Sequence, residues 1–177
     1  HECGEKALLH AVQAANSNIL CAAAASEARK GMGTTVVALQ YRENAAYWAH
    51  VGDSRLYLLR KGALRRLTRD HSFVQDLVER GSITEEEARN HQKKNLLTRA
   101  VGVEEKLVVD TGSFTIEAGD IFLLCSDGLT NMVGEAAIRE TLQGESADKA
   151  RTLVELALLA GGFDNITAIV VECDERG

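Results

Sequence analysis

The sequence predicts an α+β fold built on a largely antiparallel sheet. Three observations carry that expectation. Segments with helical spacing and segments rich in β-branched and aromatic residues occur in separate blocks. The β-rich block at 34–67 is broken only by short polar links, which suit reversals between antiparallel neighbours. No strand-helix-strand rhythm repeats, so a parallel sheet with crossover helices is not indicated. With 177 residues and roughly 150 per domain, a single domain over 1–177 is expected.

The elements follow in order. From Glu5 to about Arg29, Leu8, Leu9, Val12, Ala15, Ile19 and Ala22 or Ala23 recur at steps of three and four, predicting a long amphipathic helix that ends near Gly31. Four strands are predicted next, TTVVALQY, AAYWAHV, RLYLLR and ALRRL, as one meander linked by Arg42-Glu43-Asn44, Gly52-Asp53-Ser54 and Lys61-Gly62. Helical spacing returns over 70–90. There Phe73, Val74, Leu77 and Val78 make one stripe, Gly81 closes it, and Thr84 with Glu87 forms a capping box for a second short helix. Strands are predicted at LVVDTGSFTI and DIFLLCS, helices at about 134–143 and 146–160, and a closing strand at ITAIVVEC.

Composition narrows the function classes. Apolar residues make up 45% and charged residues 26%, values of an ordinary globular chain. The 26 acidic residues outnumber 20 basic ones and give a formal charge of -6, which disfavours nucleic acid or an anionic membrane as a partner. There is no apolar run of 18 residues and no charged-then-apolar leader, so no membrane segment is expected and the chain reads as cytoplasmic. Cys3, Cys21, Cys125 and Cys173 fit neither a redox pair nor a zinc knuckle and read as reduced thiols; the five histidines include no H-x-x-x-H pair. The chain opens at His1, almost directly in a helix, which suggests a piece of something longer.

Three aspartates stand at strand ends: Asp53 in HVGDSR, Asp127 in CSDGL and Asp164 in GGFDN. Each alone also reads as turn chemistry, because aspartate bonds its own backbone and tolerates left-handed conformations. If the strands at 120–125 and 166–172 are antiparallel neighbours, however, Asp127 and Asp164 face each other across one sheet end. Carboxylates held that close need a cation, and oxygen donors without imidazole or thiolate select Mg²⁺ or Mn²⁺.

Several stretches in series resemble the metal-dependent serine/threonine phosphatases of the protein phosphatase 2C (PPM) family, bacterial type: GMGTTVVAL, AHVGDSRLYLLRKGALRRLTRDHSFVQDLVERGSITEEEA, NLLTRAVG, GDIFLLCSDGLTNMV and GGFDNITAIVV. The resemblance implies a four-layer α-β-β-α sandwich of two antiparallel sheets with flanking helices, amino-terminally truncated in this chain. It implies a centre of two Mn²⁺ or Mg²⁺ ions, with Asp127 and Asp164 as ligands and Asp53, together with Asp127, serving a third. Residues 68–98 resemble the family's flap subdomain. The family's phosphate-binding arginine and metal-bridging aspartate are expected upstream of His1, so no catalytic residue beyond the metal ligands is assigned, and the chain by itself is expected to bind metal weakly and to be inactive.

The activity so implied is hydrolysis of phosphoserine and phosphothreonine in proteins by a metal-activated water, with phosphorylated proteins and a Ser/Thr kinase as partners. Two other readings stand beside it: a non-catalytic phosphatase-like adaptor, and a dedicated sporulation or stress-signalling phosphatase of the same fold. Metal-activated water needs no covalent nucleophile, so Ser54 and Ser126 read as turn or strand-end residues. His71 could be read as a general acid but is expected to anchor the flap or to start the helix that Asp70 or Ser72 caps, and His50 to be a satisfied core or interface histidine.

Overall fold

The polar link Gly52-Asp53-Ser54 does not close a hairpin. In the computed structural model, which describes residues 2–174, the strand before the link and the strand after it belong to different sheets. The first sheet has the order β1 (Val36–Arg42), β2 (Ala45–Val51), β5 (Asp110–Thr115). The second has the order β4 (Ala63–Arg66), β3 (Arg55–Arg60), β6 (Ile121–Cys125), β7 (Ala168–Glu172). Every pairing is antiparallel. The expected α+β class with two antiparallel sheets and helices is therefore found, while the single four-strand meander is corrected to two hairpins in two sheets. The physical reason lies at Gly52: its N–H and C=O both bond to His71, so neither is free to form the ladder of a β2–β3 hairpin.

The other two links are tight turns as expected. Arg42 pairs with Ala45 and Arg60 with Ala63, leaving two-residue loops. In the second loop Lys61 and Gly62 have φ of 50° and 80°, the left-handed pair whose twist matches the flanking strands.

The chain divides into two units that interleave in sequence. One comprises His1–Asp53 and Arg69–Thr115 and holds the first sheet. Its long helix α1 (Glu2–Ala24) packs on β1, β2 and β5, and its core joins Val12, Ala49, Val51, Val101 and Leu107. The helix stops at Ala24, before the expected end, and a 3-10 turn at Glu27–Arg29 follows. Its inward stripe is Leu8, Val12, Asn16 and Ile19, whereas Ala15 is exposed. Asn16 replaces an apolar contact with two hydrogen bonds, accepting from the Gly102 N–H (2.6 Å) and donating to the Glu104 carbonyl (2.8 Å). A polar side chain can occupy a core position when its partners are buried with it.

The same unit carries α2 (Phe73–Glu79), capped by the Ser72 hydroxyl, and α3 (Glu85–Arg89), whose capping box of Thr84 and Glu87 forms as expected. An isolated bridge between Ser72 and Leu97 and the Thr98 N–H to His71 carbonyl bond (2.8 Å) close this excursion at its base.

The other unit comprises Ser54–Thr68 and Ile116–Gly177. Tyr57, Leu123, Leu129, Ile138, Leu142 and Leu153 form its core, and the helices α4 (Asp127–Thr130), α5 (Glu135–Gln143) and α6 (Lys149–Leu159) supply four of those six residues. The sequence reading had no counterpart for the single-turn α4. At the far end of the sheet from α4, the fully buried Asp120 carboxylate accepts two bonds from Arg60, at 2.7 and 2.6 Å, and one from the Glu117 N–H at 2.9 Å. Among the described residues no helix is long and apolar enough to cross a membrane, and Cys21, Cys125 and Cys173 are free thiols.

Candidate metal centre

The β6–β7 register pairs Cys125 with Ala168, so the carboxyl end of β6 lies beside the amino end of β7. Beyond that pair the two chains are stitched together by Ser126. Its N–H donates to the Thr167 carbonyl (3.1 Å), and its hydroxyl accepts from the Thr167 N–H (3.0 Å) and donates to the Asn165 carbonyl (3.2 Å). Gly128 completes the close approach: a Cβ there would lie 2.2 Å from the Asn165 carbonyl oxygen. Asp127 and Asp164 flank this stitched crossing. The Asp127 carboxylate accepts from the Asn131 amide (3.2 Å), and Asp164 from the Asn165 N–H (2.7 Å).

The two carboxylates sense one another. Burial pushes the Asp127 carboxyl above the usual range and the negative charge of Asp164 pushes it further; the Gly128 N–H, the Asn131 amide and Arg55 pull the other way without cancelling the rise. Two oxygen-donor side chains, one half-buried, on strand ends that cannot drift apart suit a hard divalent cation, whose charge would relieve their repulsion. No imidazole or thiolate belongs to the pair, which disfavours zinc.

Asp53 belongs to the other unit, at the end of the Gly52 turn after β2. Gly52 is buried, has φ of 109°, and a Cβ on it would lie 2.4 Å from the Thr35 side chain. Only glycine fits there without strain. Its peptide is held from both sides by His71: the His71 N–H donates to the Gly52 carbonyl (2.7 Å) and the Gly52 N–H donates to His71 Nδ1 (3.1 Å).

The sequence reading missed what holds His71. Its Nε2 lies 3.0 Å from Asp110 Oδ2, and Arg99 donates to Asp110 Oδ1 at 2.9 Å. Burial lowers the His71 pKa, with the charge of Arg99 adding to the effect against the pull of Asp110. The Asp110 carboxyl is raised by burial, but its bond to His71 and the neighbouring charges outweigh this and keep it below the usual range. His50 is fully buried with its ring 4.8 Å from that of His71, centroid to centroid. No local motif marks Asp110 or Arg99. The pairing of His50 with Asp110 across β2 and β5 would have found the cluster, but it is a long-range register.

Comparison with known proteins places the chain in a family. Residues 2–166 match the family model described as protein phosphatase 2C. The chain is 44% identical over 152 residues to the protein phosphatase PhpP of Streptococcus pneumoniae serotype 2 strain D39, covering 85% of this chain and 62% of that protein. It is 45% identical over 165 residues to the serine/threonine phosphatase stp of Listeria monocytogenes serovar 1/2a, covering 92% of this chain and 66% of that one. The chain thus spans a little under two thirds of the length of these curated relatives. Among solved structures, the catalytic domain of the serine/threonine protein phosphatase PstP in complex with two manganese ions superposes with a TM-score of 0.89 at 41% identity, over 97% of this chain and 72% of that one. A family match over residues 2–166, which include Asp53, Asp127 and Asp164, leaves one conclusion: the chain belongs to the protein phosphatase 2C family.

Proposed function

We propose that the whole protein is a serine/threonine protein phosphatase that hydrolyses phosphoserine and phosphothreonine in proteins, and that Asp127 and Asp164 hold Mn²⁺ or Mg²⁺ in its centre. The observation that carries the metal assignment is their meeting at one end of the β6–β7 pair, on backbone stitched by Ser126 and closed by Gly128. When bound, divalent cations supply an activated water and shield the phosphoryl oxygens. The chain's own contribution is rigidity and charge: Asn131 and the Asn165 N–H orient the two carboxylates, and their mutual repulsion leaves them poised for a cation. Ser126 is committed to backbone partners on β7's approach and is not a nucleophile.

Asp53 serves an additional ion in this reading, and residues 68–98, which carry α2 and α3, act as the flap beside the substrate. The substrates are phosphorylated proteins made by a Ser/Thr kinase, and the setting is the cytoplasm. In the whole protein, Asp127→Asn is expected to abolish phosphopeptide hydrolysis at saturating Mn²⁺. Near-normal turnover by that variant would overturn the assignment. Metal binding without any turnover by the unmodified protein would favour a phosphatase-like binding module instead.

A further inference from the structure

We propose that His71 is a positioning residue for the Asp53 turn, clamping the Gly52 peptide so that the Asp53 carboxylate is held for an ion; the purpose of the clamp rests on the metal role of Asp53 proposed above. The clamp has two points. The backbone N–H of His71 holds the Gly52 carbonyl at 2.7 Å, and its Nδ1 accepts the Gly52 N–H at 3.1 Å. The residue that makes both bonds is itself fixed. His71 is fully buried, its Nε2 lies 3.0 Å from Asp110, and Asp110 is held by Arg99 at 2.9 Å. Rigidity therefore runs from Arg99 through Asp110, at the start of β5, and one imidazole to the backbone next to Asp53.

The proton count follows from the partners. A backbone N–H points at Nδ1, so Nδ1 bears a lone pair, and the single proton of the neutral ring sits on Nε2 and is donated to Asp110. The same count argues against a metal ion held by His50, His71 and Asp110, whose ligand atoms lie within 4.8 Å of one another. Such an ion would need the lone pair of His71 on Nε2, which would turn an Nδ1 proton against the Gly52 N–H. It would also sit against the Arg99 guanidinium, 3.2 Å from Nε2. The arrangement has the form of an outer partner of a metal ligand, with one difference: the histidine acts on the ligand's backbone rather than on its carboxylate.

Two variants separate the bonds. In His71→Asn the side-chain oxygen takes the place of Nδ1 and can still accept from Gly52, while the link to Asp110 is lost. In His71→Gln the terminal amide takes the place of Nε2 and keeps Asp110 but abandons Gly52. Both are measured in the whole protein by amide hydrogen exchange at Gly52 and Asp53, and by Mn²⁺ titration calorimetry beside Asp53→Asn. The expected result is faster exchange and a roughly 10- to 100-fold weaker Mn²⁺ site in His71→Gln, a smaller change of the same sign in His71→Asn, which keeps the Gly52 bond without its Asp110 anchor, and no further weakening when His71→Gln is combined with Asp53→Asn. Unchanged exchange in His71→Gln would overturn the clamp. Faster exchange with unchanged Mn²⁺ affinity, or additive losses in the double variant, would overturn its role toward Asp53. If Asp53→Asn itself leaves Mn²⁺ binding intact, the metal role of Asp53 falls and the inference with it, whatever the exchange data show. Zn²⁺ retained by the unmodified protein and lost in His71→Asn would replace the clamp with a metal site.

Discussion

Replacing Gly128 by alanine tests the geometry of the Asp127–Asp164 pair with a single methyl group. The added Cβ would lie 2.2 Å from the Asn165 carbonyl oxygen, where real Cβ contacts stay above 3.0 Å, so the Asn165 backbone must retreat by at least 0.8 Å. Two bonds resist that retreat: the Ser126 hydroxyl holds the Asn165 carbonyl at 3.2 Å and the Thr167 N–H at 3.0 Å. Overpacking of this kind costs about 1–3 kcal/mol, which for a chain of this length lowers the melting temperature by roughly 2–12 °C. Asp164 precedes Asn165 and moves with it, and the displacement is several times the tolerance of about 0.2 Å on a metal-ligand distance. Mn²⁺ affinity is expected to fall about 10- to 100-fold by titration calorimetry, a loss comparable to that of an orienting partner. Gly134→Ala is the control, because a Cβ at Gly134 meets nothing within 4 Å. Should Gly128→Ala match Gly134→Ala in both Mn²⁺ affinity and melting temperature, the close approach would not be what sets the two aspartates.

Three further outcomes are expected. Asp164→Asn removes the like charge that raises the Asp127 carboxyl, so the metal-free protein should gain about 0.5 kcal/mol while its stabilisation by added Mn²⁺ disappears; scanning calorimetry with and without metal reads both changes. His71 is held neutral by burial with its pKa below 6.5, so the native state binds fewer protons there than the unfolded chain. Its contribution to stability is complete above about pH 6.5 and is lost as the pH falls through that value, and denaturant titrations between pH 7.5 and 5 should show a shallower loss in His71→Asn. Arg60→Met strands the fully buried Asp120 carboxylate with only the Glu117 N–H, and urea unfolding should report a loss of about 3 kcal/mol; a loss under 1 kcal/mol would mean that water reaches Asp120.

Much of the fold is local and could be read residue by residue. The capping box at Thr84 and Glu87, the tight turn at Lys61-Gly62 and the strand segments answer to short-range chemistry, and the structure reproduces them. Errors gathered where a local pattern was ambiguous. Ala15 and Asn16 are adjacent on α1, and apolarity favoured Ala15 for the core; Asn16 took the position because its amide partners, Gly102 and Glu104, come from more than eighty residues away.

By itself the sequence determined the α+β class, the order of the elements, the family resemblance and the aspartates at strand ends, because each depends on spacing along the chain or on a motif of a few residues. Tertiary structure alone decided that β2 and β3 part into different sheets, that Ser126 and Gly128 bring the approach to Asp164 against Asp127, and that Arg99, Asp110 and His71 form one line to the Gly52 peptide. Those decisions rest on which strands pair and in what register. Pairing energy accrues between residues far apart in sequence, and a one-residue slip would turn Asp110 to the other face of its sheet, away from His71.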